Sequence, residues 1–207
     1  MKIKGVKAVD LALPIGLQRL VHERNGLFTA AQANAVGISN ERLRLLERSG
    51  TITREGHGVY SVDGGTLDRM AVLQARRPKA VYSHGTALFL HGLTDRDPRA
   101  YSVTVPSGYN TKTLAGLGVE VFTIRRDLHE LGQCRVKTVF GSEVVAYDPE
   151  RTVCDCLRSR SRMDAAEVMD AVKRYAALPK RNIPHLMRVA AALHVEKPLR
   201  ACLEVLL

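Results

Sequence analysis

The sequence of 207 residues predicts an α+β fold on three observations. Residues 27–62 carry two short helical runs followed by two short strand-like runs. Residues 119–124, Val-Glu-Val-Phe-Thr-Ile, have the period of two that a half-buried strand requires. From Asp148 onward, apolar residues recur every three or four positions, as on one face of a helix. The expectation is an N-terminal domain of short helices and a two-stranded ribbon, then a mixed α/β domain that ends in a helical C-terminal region.

The first helix is expected over residues 15–25, with Leu17, Leu20 and Val21 at helical spacing and Gly26 as its stop. Ahead of it Val6, Val9, Leu11 and Leu13 have no clear period and read as an arm. Thr29 reads as the N-cap of a short helix over residues 30–36 that Gly37 breaks, and Ser39 as the cap of the next, over residues 40–49, which Gly50 closes. There Leu43 and Leu46 share one face, leaving Asn40, Arg42, Arg44, Glu47 and Arg48 to project outward. Residues 51–54 and 59–62 alternate as strands around Glu55-Gly56-His57-Gly58, a loop whose glycines permit a tight reversal. Helix, turn, helix and ribbon in this order make a winged helix-turn-helix, and its second helix has the dimensions of a DNA major groove.

Asp63-Gly64-Gly65 reads as a hinge, dividing the chain into a DNA-binding domain over residues 1–62 and an α+β effector domain over residues 66–207. Thr66 is expected to cap a helix running to about Arg76, with Met70 and Leu73 on its buried side. The basic run Arg76-Arg77-Lys79 at its end either complements the helix dipole or adds a contact to a DNA backbone. Residues 82–93 read as one capped, largely buried helix ending at Gly92. Strands are expected over residues 101–105, 119–124, 136–140 and 143–147. Asp148 with Pro149, Asp164 with Glu167, and Asn182 with Pro184 mark three helix starts. Leu199, Cys202, Leu203, Leu206 and Leu207 continue an apolar stripe to the C-terminus, and packing on its own domain is the simplest use for it.

Charge narrows the partners. Against 21 Asp and Glu stand 31 Lys and Arg, a formal charge of +10 and a pI near 9.8, a surplus that favours nucleic acid or an acidic protein. Cys134, Cys154, Cys156 and Cys202 form no Cys-x-x-Cys pair and read as reduced and mostly packed. Lys7, Asp10 and Pro14 interrupt the apolar residues after the basic start, and no run is long enough to span a bilayer. The expectation is a cytoplasmic protein with no membrane partner.

The winged helix ending in Gly58-Val59-Tyr60, then Ser83-x-x-Thr86-Ala87-Leu88-x-Leu90-His91-Gly92-Leu93-Thr94, then a strand closing on Val105-Pro106, resembles the AbiE-type (AbiEi) antitoxins. These are the antitoxin and transcriptional-regulator halves of type IV toxin–antitoxin systems linked to abortive infection. The resemblance runs from about Ile15 to Tyr175, and the last thirty or so residues match nothing in it. It implies that the N-terminal domain binds inverted repeats in its own promoter and represses it, with a dimer on DNA as a companion expectation. It also implies that the second domain counters a co-encoded nucleotidyltransferase-like toxin.

Signatures of catalysis are weak. No Asp-x-Lys or Glu-x-Lys occurs, as a restriction-type nuclease would need to hold a metal and its water. Gly141-Ser142 with Asp148 and Glu150 imitates a nucleotidyltransferase at too short a spacing, and Asp148 is better used as a helix cap. His84 and His91, seven apart, with His129, lack the spacing of a zinc site and read as core histidines. Ser83 beside His84 suggests a nucleophile and base, but neighbours within a helix point apart. Cys154-Asp155-Cys156 falls on different helix faces. No catalytic residue, metal ligand or cofactor is expected.

The function expected is a sequence-specific repressor and antitoxin, not an enzyme. Ser39, Asn40, Arg42 and Arg44 are the candidates for base readout, Arg and Asn having bidentate geometry for guanine and adenine. Thr29, Gln32, Arg48, Arg54 and His57 are the candidates for phosphates or the adjacent minor groove. Arg125, Arg126, Arg158, Arg160, Arg162, Lys173, Arg174, Lys180 and Arg181 are candidates for a joint partner patch. The competing readings are a nuclease or hydrolase guided by the winged helix, and a winged helix used only for protein assembly.

Overall fold

The computed structural model describes residues 13–62 and 67–204. Most of the N-terminal arm (Val6, Val9, Leu11), the glycine hinge at 63–65, Thr66, Leu206 and Leu207 lie outside the described residues. The chain forms two compact units: residues 1–78 together with 137–144, and residues 79–136 together with 145–207. Residues 67–78, assigned above to the second domain, therefore pack with the first unit.

The first unit opens with α1 (Ile15–Glu23), two residues shorter than its spacing suggests, because Asn25 and Gly26 both take positive φ and turn the chain. A strand not anticipated from sequence, β1 (Leu27–Thr29), leads into α2 (Ala30–Ala35), and α3 (Asn40–Arg48) follows after Gly37. The ribbon is β2 (Ile52–Gly56) and β3 (Val59–Val62), so the tight turn is His57-Gly58 and not the four-residue loop expected. β3 pairs antiparallel with β2 and also with β1, Phe28 opposite Tyr60, which makes a three-stranded sheet in the order β1-β3-β2. Leu17, Phe28, Leu43 and Ile52 meet in one core with essentially no exposure, and Leu13, expected in an arm, is buried there.

Helix α4 (Arg69–Arg76) is capped by Asp68, whose carboxylate accepts from the backbone N–H groups of Met70 and Ala71. The start expected at Thr66 is thus displaced, since the cap must sit within a turn of the orphan N–H groups it satisfies. α4 packs on β1 and β3. Residues 137–144 join this unit: Asn25 Nδ2 donates to the Phe140 carbonyl at 2.8 Å, and Thr138 Oγ1 donates to the Asp68 carboxylate.

In the second unit β4 (Val81–Tyr82) precedes α5 (His84–Leu90), so the single helix expected over residues 82–93 is a strand and a shorter helix. The strands β5 (Ser102–Pro106), β6 (Glu120–Ile124), β7 (Gln133–Lys137) and β8 (Glu143–Tyr147) complete a sheet ordered β6-β5-β4-β8-β7, with a one-turn α6 (Lys112–Ala115) between β5 and β6. β7 is shifted three residues earlier than expected over residues 136–140, and it ends at Lys137 because the chain turns back at residues 139–141. β5 runs parallel to β6 and antiparallel to β4, and β4 runs parallel to β8, so the sheet is mixed.

The helices α7 (Pro149–Arg158), α8 (Ala165–Ala176), α9 (Ile183–Ala192) and α10 (Glu196–Glu204) follow. All three caps read from the sequence are made: Asp148, Asp164 and Asn182 each accept from a backbone N–H of the first turn. α7 is buried from Glu150 through Leu157 and packs against α5, α8, α9 and α10. Leu199 is buried in the same core, with Cys202 and Leu203 half-buried against it.

Candidate nucleic-acid interface

The helix-turn-helix is built from side chains that satisfy backbone groups. Thr29 and Gln32 form a reciprocal capping box: Gln32 N–H donates to Thr29 Oγ1 at 3.2 Å and Thr29 N–H to Gln32 Oε1 at 2.8 Å. Each keeps donors for a phosphate, the Thr29 hydroxyl proton and the Gln32 amide NH2. Ser39 Oγ accepts from Arg42 N–H at 3.2 Å and starts α3. Asn40 Oδ1 accepts from Asn34 Nδ2 at 3.4 Å, which ties the side chain across the turn.

Leu43 and Leu46 anchor α3 to the core, so the opposite stripe, positions 41, 44, 45 and 48, faces outward. Ser39, Asn40, Arg42, Arg44 and Arg48 are all exposed, whereas Glu47, expected to project, is half-buried. None of Arg42, Arg44 and Arg48 is ion-paired among the described residues. Glu41 and Leu45, the latter 49% exposed, are not among the candidates named from the sequence, yet both lie on the outward stripe once Leu43 and Leu46 are placed inside. On the ribbon, Arg54 and His57 are exposed, and Arg54 Nε donates to the Gly56 carbonyl at 3.2 Å. Surface and chemistry suit a polyanion groove: guanidinium groups for phosphate or guanine, an amide for adenine, and an apolar tip for a thymine methyl.

The expected partner patch divides by its local pairing. Arg125 is held by Asp127, Arg162 by Glu120 at 3.3 Å and stacked over Phe122, and Arg174 lies between Asp95 and Asp170. Arg158 is largely covered and faces the buried Asp155. Arg126, Arg160, Lys173, Lys180 and Arg181 are exposed and make no ion pair among the described residues. Beside Arg162 a cavity of about 630 Å³ is lined by His84 and by Arg96, Arg99, Arg162 and four carboxylates, Asp97, Glu120, Asp164 and Glu167, so its charges offset one another.

The remaining chemistry-bearing groups are internal. Ser83 and His84 do not point apart: Ser83 is extended and His84 takes φ +47, which brings His84 Nδ1 to 2.9 Å from Ser83 Oγ. His84 Nε2 lies 2.9 Å from Ser159 Oγ, and the ring stacks on Phe122 with centroids 3.5 Å apart. Burial holds the imidazole well below its ordinary pKa, with Arg158, Arg162 and Arg151 adding to the shift. Ser83 is fully enclosed and its hydroxyl also accepts from Thr104, so its hydrogen-bonding capacity is spent inside the fold. His91 and His129 spend their Nε2 atoms on the carbonyls of Tyr147 and Lys79, away from any shared centre.

Asp148 is the α7 cap and also meets His185 Nε2 at 2.9 Å, while Glu150 is buried and accepts from Tyr175 and the Asn182 N–H. Both carboxylates of the nucleotidyltransferase-like motif are therefore occupied in building the fold. Cys154 and Cys156 are both buried, and burial pushes the Cys154 thiol up to about 12. Among the described residues no group of three potential ligands is placed to hold a metal, and no helix is long and apolar enough to cross a membrane.

Residues 17–62 match the family described as transcriptional regulator, AbiEi antitoxin. The match runs from within α1 to the end of β3, and the second stretch behind the resemblance, residues 83–94, lies outside it. No curated protein matches the chain. Among solved structures, the crystal structure of the RV2827C protein from Mycobacterium tuberculosis is similar in fold, with a TM-score of 0.54 and 14% identity over 86% of this chain and 72% of that one.

Proposed function

We propose, from the premise of an N-terminal winged helix of the AbiEi antitoxin regulator type, that this chain is a cytoplasmic, non-enzymatic repressor of its own promoter and the antitoxin to a nucleotidyltransferase-like toxin. The observation that carries the DNA half is the outward stripe of α3, with Arg44 and Arg48 unpaired beside an exposed wing bearing Arg54 and His57. In this reading α3 enters the major groove with Asn40, Arg42 and Arg44 at base edges, while Thr29, Gln32, Arg48, Arg54 and His57 meet the backbone.

A gel-shift titration on the region upstream of its own gene, repeated at several salt concentrations, tests this. Specific binding that Arg44→Ala weakens by about 1–3 kcal/mol supports the reading. Promoter affinity unchanged in both Arg42→Ala and Arg44→Ala removes the assignment. For the toxin half, the exposed and unpaired Arg126, Arg160, Lys173, Lys180 and Arg181 are the first groups to neutralise in a rescue assay with the co-encoded toxin. Rescue that survives every substitution eliminates a charge-based partner surface. Plasmid incubated with purified protein and a divalent metal separates this reading from a nuclease, which would cut.

A further inference from the structure

The wing holds a second cation that comes from outside the matched residues 17–62. α4 ends on Arg76, whose guanidinium lies across the backbone of Gly56: a Cβ built there would stand 2.7 Å from Arg76 Nε and 3.1 Å from Cζ. Arg54 turns onto the same residue, its Nε donating to the Gly56 carbonyl at 3.2 Å. Neither arginine is ion-paired with a carboxylate among the described residues, and the nearest in sequence, Glu55, accepts from Ser61 Oγ instead. Two like charges brought to one glycine repel, and an anion between them turns that repulsion into attraction. Duplex DNA supplies such anions at fixed spacing, and the guanidinium fork matches phosphate geometry.

We propose that Arg54 and Arg76 form a clamp for a DNA backbone phosphate at the wing, with Gly56 left without a side chain so that Arg76 can lie across the strand. The DNA interface then extends into α4, beyond the winged helix itself. This clamp rests on the DNA-binding reading, and it contributes affinity without sequence preference because a phosphate carries no base identity.

The test is the salt dependence of binding by the full chain to a duplex spanning its upstream region, and to a scrambled duplex of equal length. Losing one phosphate contact lowers the slope of log K against log salt by about 0.9. Arg76→Gln is expected to do so on both duplexes, so that its deficit against wild type shrinks about 3.5-fold between roughly 50 and 200 mM salt. Gly56→Ala, which need only push aside the flexible end of an arginine, is expected to keep the melting temperature yet lower the slope equally, and to add nothing to Arg76→Gln. Arg76→Lys keeps the charge and the slope. Arg69→Gln, an exposed charge at the other end of α4, also leaves the slope unchanged. Wild-type protein that binds neither duplex overturns the DNA reading and the clamp with it. Binding that Arg44→Ala weakens while Arg76→Gln or Gly56→Ala keeps the wild-type slope overturns the clamp alone.

Discussion

His84 illustrates how one backbone angle decides what a pair of side chains can do. Its left-handed φ of +47 folds the imidazole back onto Ser83, in a position where L-residues are uncommon and the cost must be met by surrounding contacts. Phe122 and Ser159 supply them. Nothing in the Ser83-His84 dipeptide signals this angle, because a rule that places both residues inside a helix sends them to different faces. Enclosure also gives the residue a pH signature. The unfolded chain takes up a proton near the ordinary histidine value of about 6.5, while the folded chain resists until well below it, so stability is kept above that value and lost as pH falls through it. The melting temperature is expected to drop between about pH 7.5 and 5.5, and to drop less in His84→Gln. The remaining fall belongs partly to His129, whose burial shifts it in the same direction. Arg151 and Asp155 present a second buried group: fully enclosed, 2.9 Å apart, with Arg151 also donating to the carbonyls of Leu128 and Leu131. Asp155→Ala leaves that guanidinium uncompensated and is expected to cost about 3–5 kcal/mol in urea denaturation, whereas Arg151→Met with Asp155→Leu together cost less.

Helix starts were the most legible elements because capping is local chemistry. Thr29, Ser39, Asp148, Asp164 and Asn182 each cap where their spacing to the following apolar residues placed them. Thr29→Ala is expected to remove about 0.5–2 kcal/mol of stability, measurable by denaturation, with the capping-box partner Gln32 unable to compensate. Strands of two or three residues were illegible for a matching reason. β1 and β4 are too short to show a period, and only the partners they find, β3 for one and β5 with β8 for the other, make them strands. The turn after the 3-10 segment at Arg126–Leu128 depends on long-range packing too. Gly132 has φ +76, and a side chain there would meet Arg151 Cβ at 2.6 Å, so Gly132→Ala combines backbone strain with a clash against a fixed atom. It is expected to cost more than the roughly 1–2 kcal/mol of the left-handed conformation alone, read from its denaturation midpoint.

Over the whole molecule, the charge of +10 favours a polyanion without saying which face would meet it. Composition cannot distinguish an arginine held by carboxylates, as Arg174 is, from one left unpaired on α3. The winged helix was legible as a unit because its signals lie within forty residues of each other, and it is the stretch that the family match covers. Its companion elements were not: α4 packs with it from beyond the hinge expected at 63–65, and residues 137–144 join it from more than seventy residues past the end of β3. The backbone consequently passes from one unit to the other three times, after residues 78, 136 and 144. Recombination that grafted a new head onto this body at a single junction would inherit the old residues 137–144, still seeking an Asn25 amide for the Phe140 carbonyl and an Asp68 carboxylate for Thr138. A transplanted head is therefore expected to dock on these eight residues only if it brings an amide at the place of Asn25 and a carboxylate at the place of Asp68, and a chimera lacking either is expected to melt at a lower temperature.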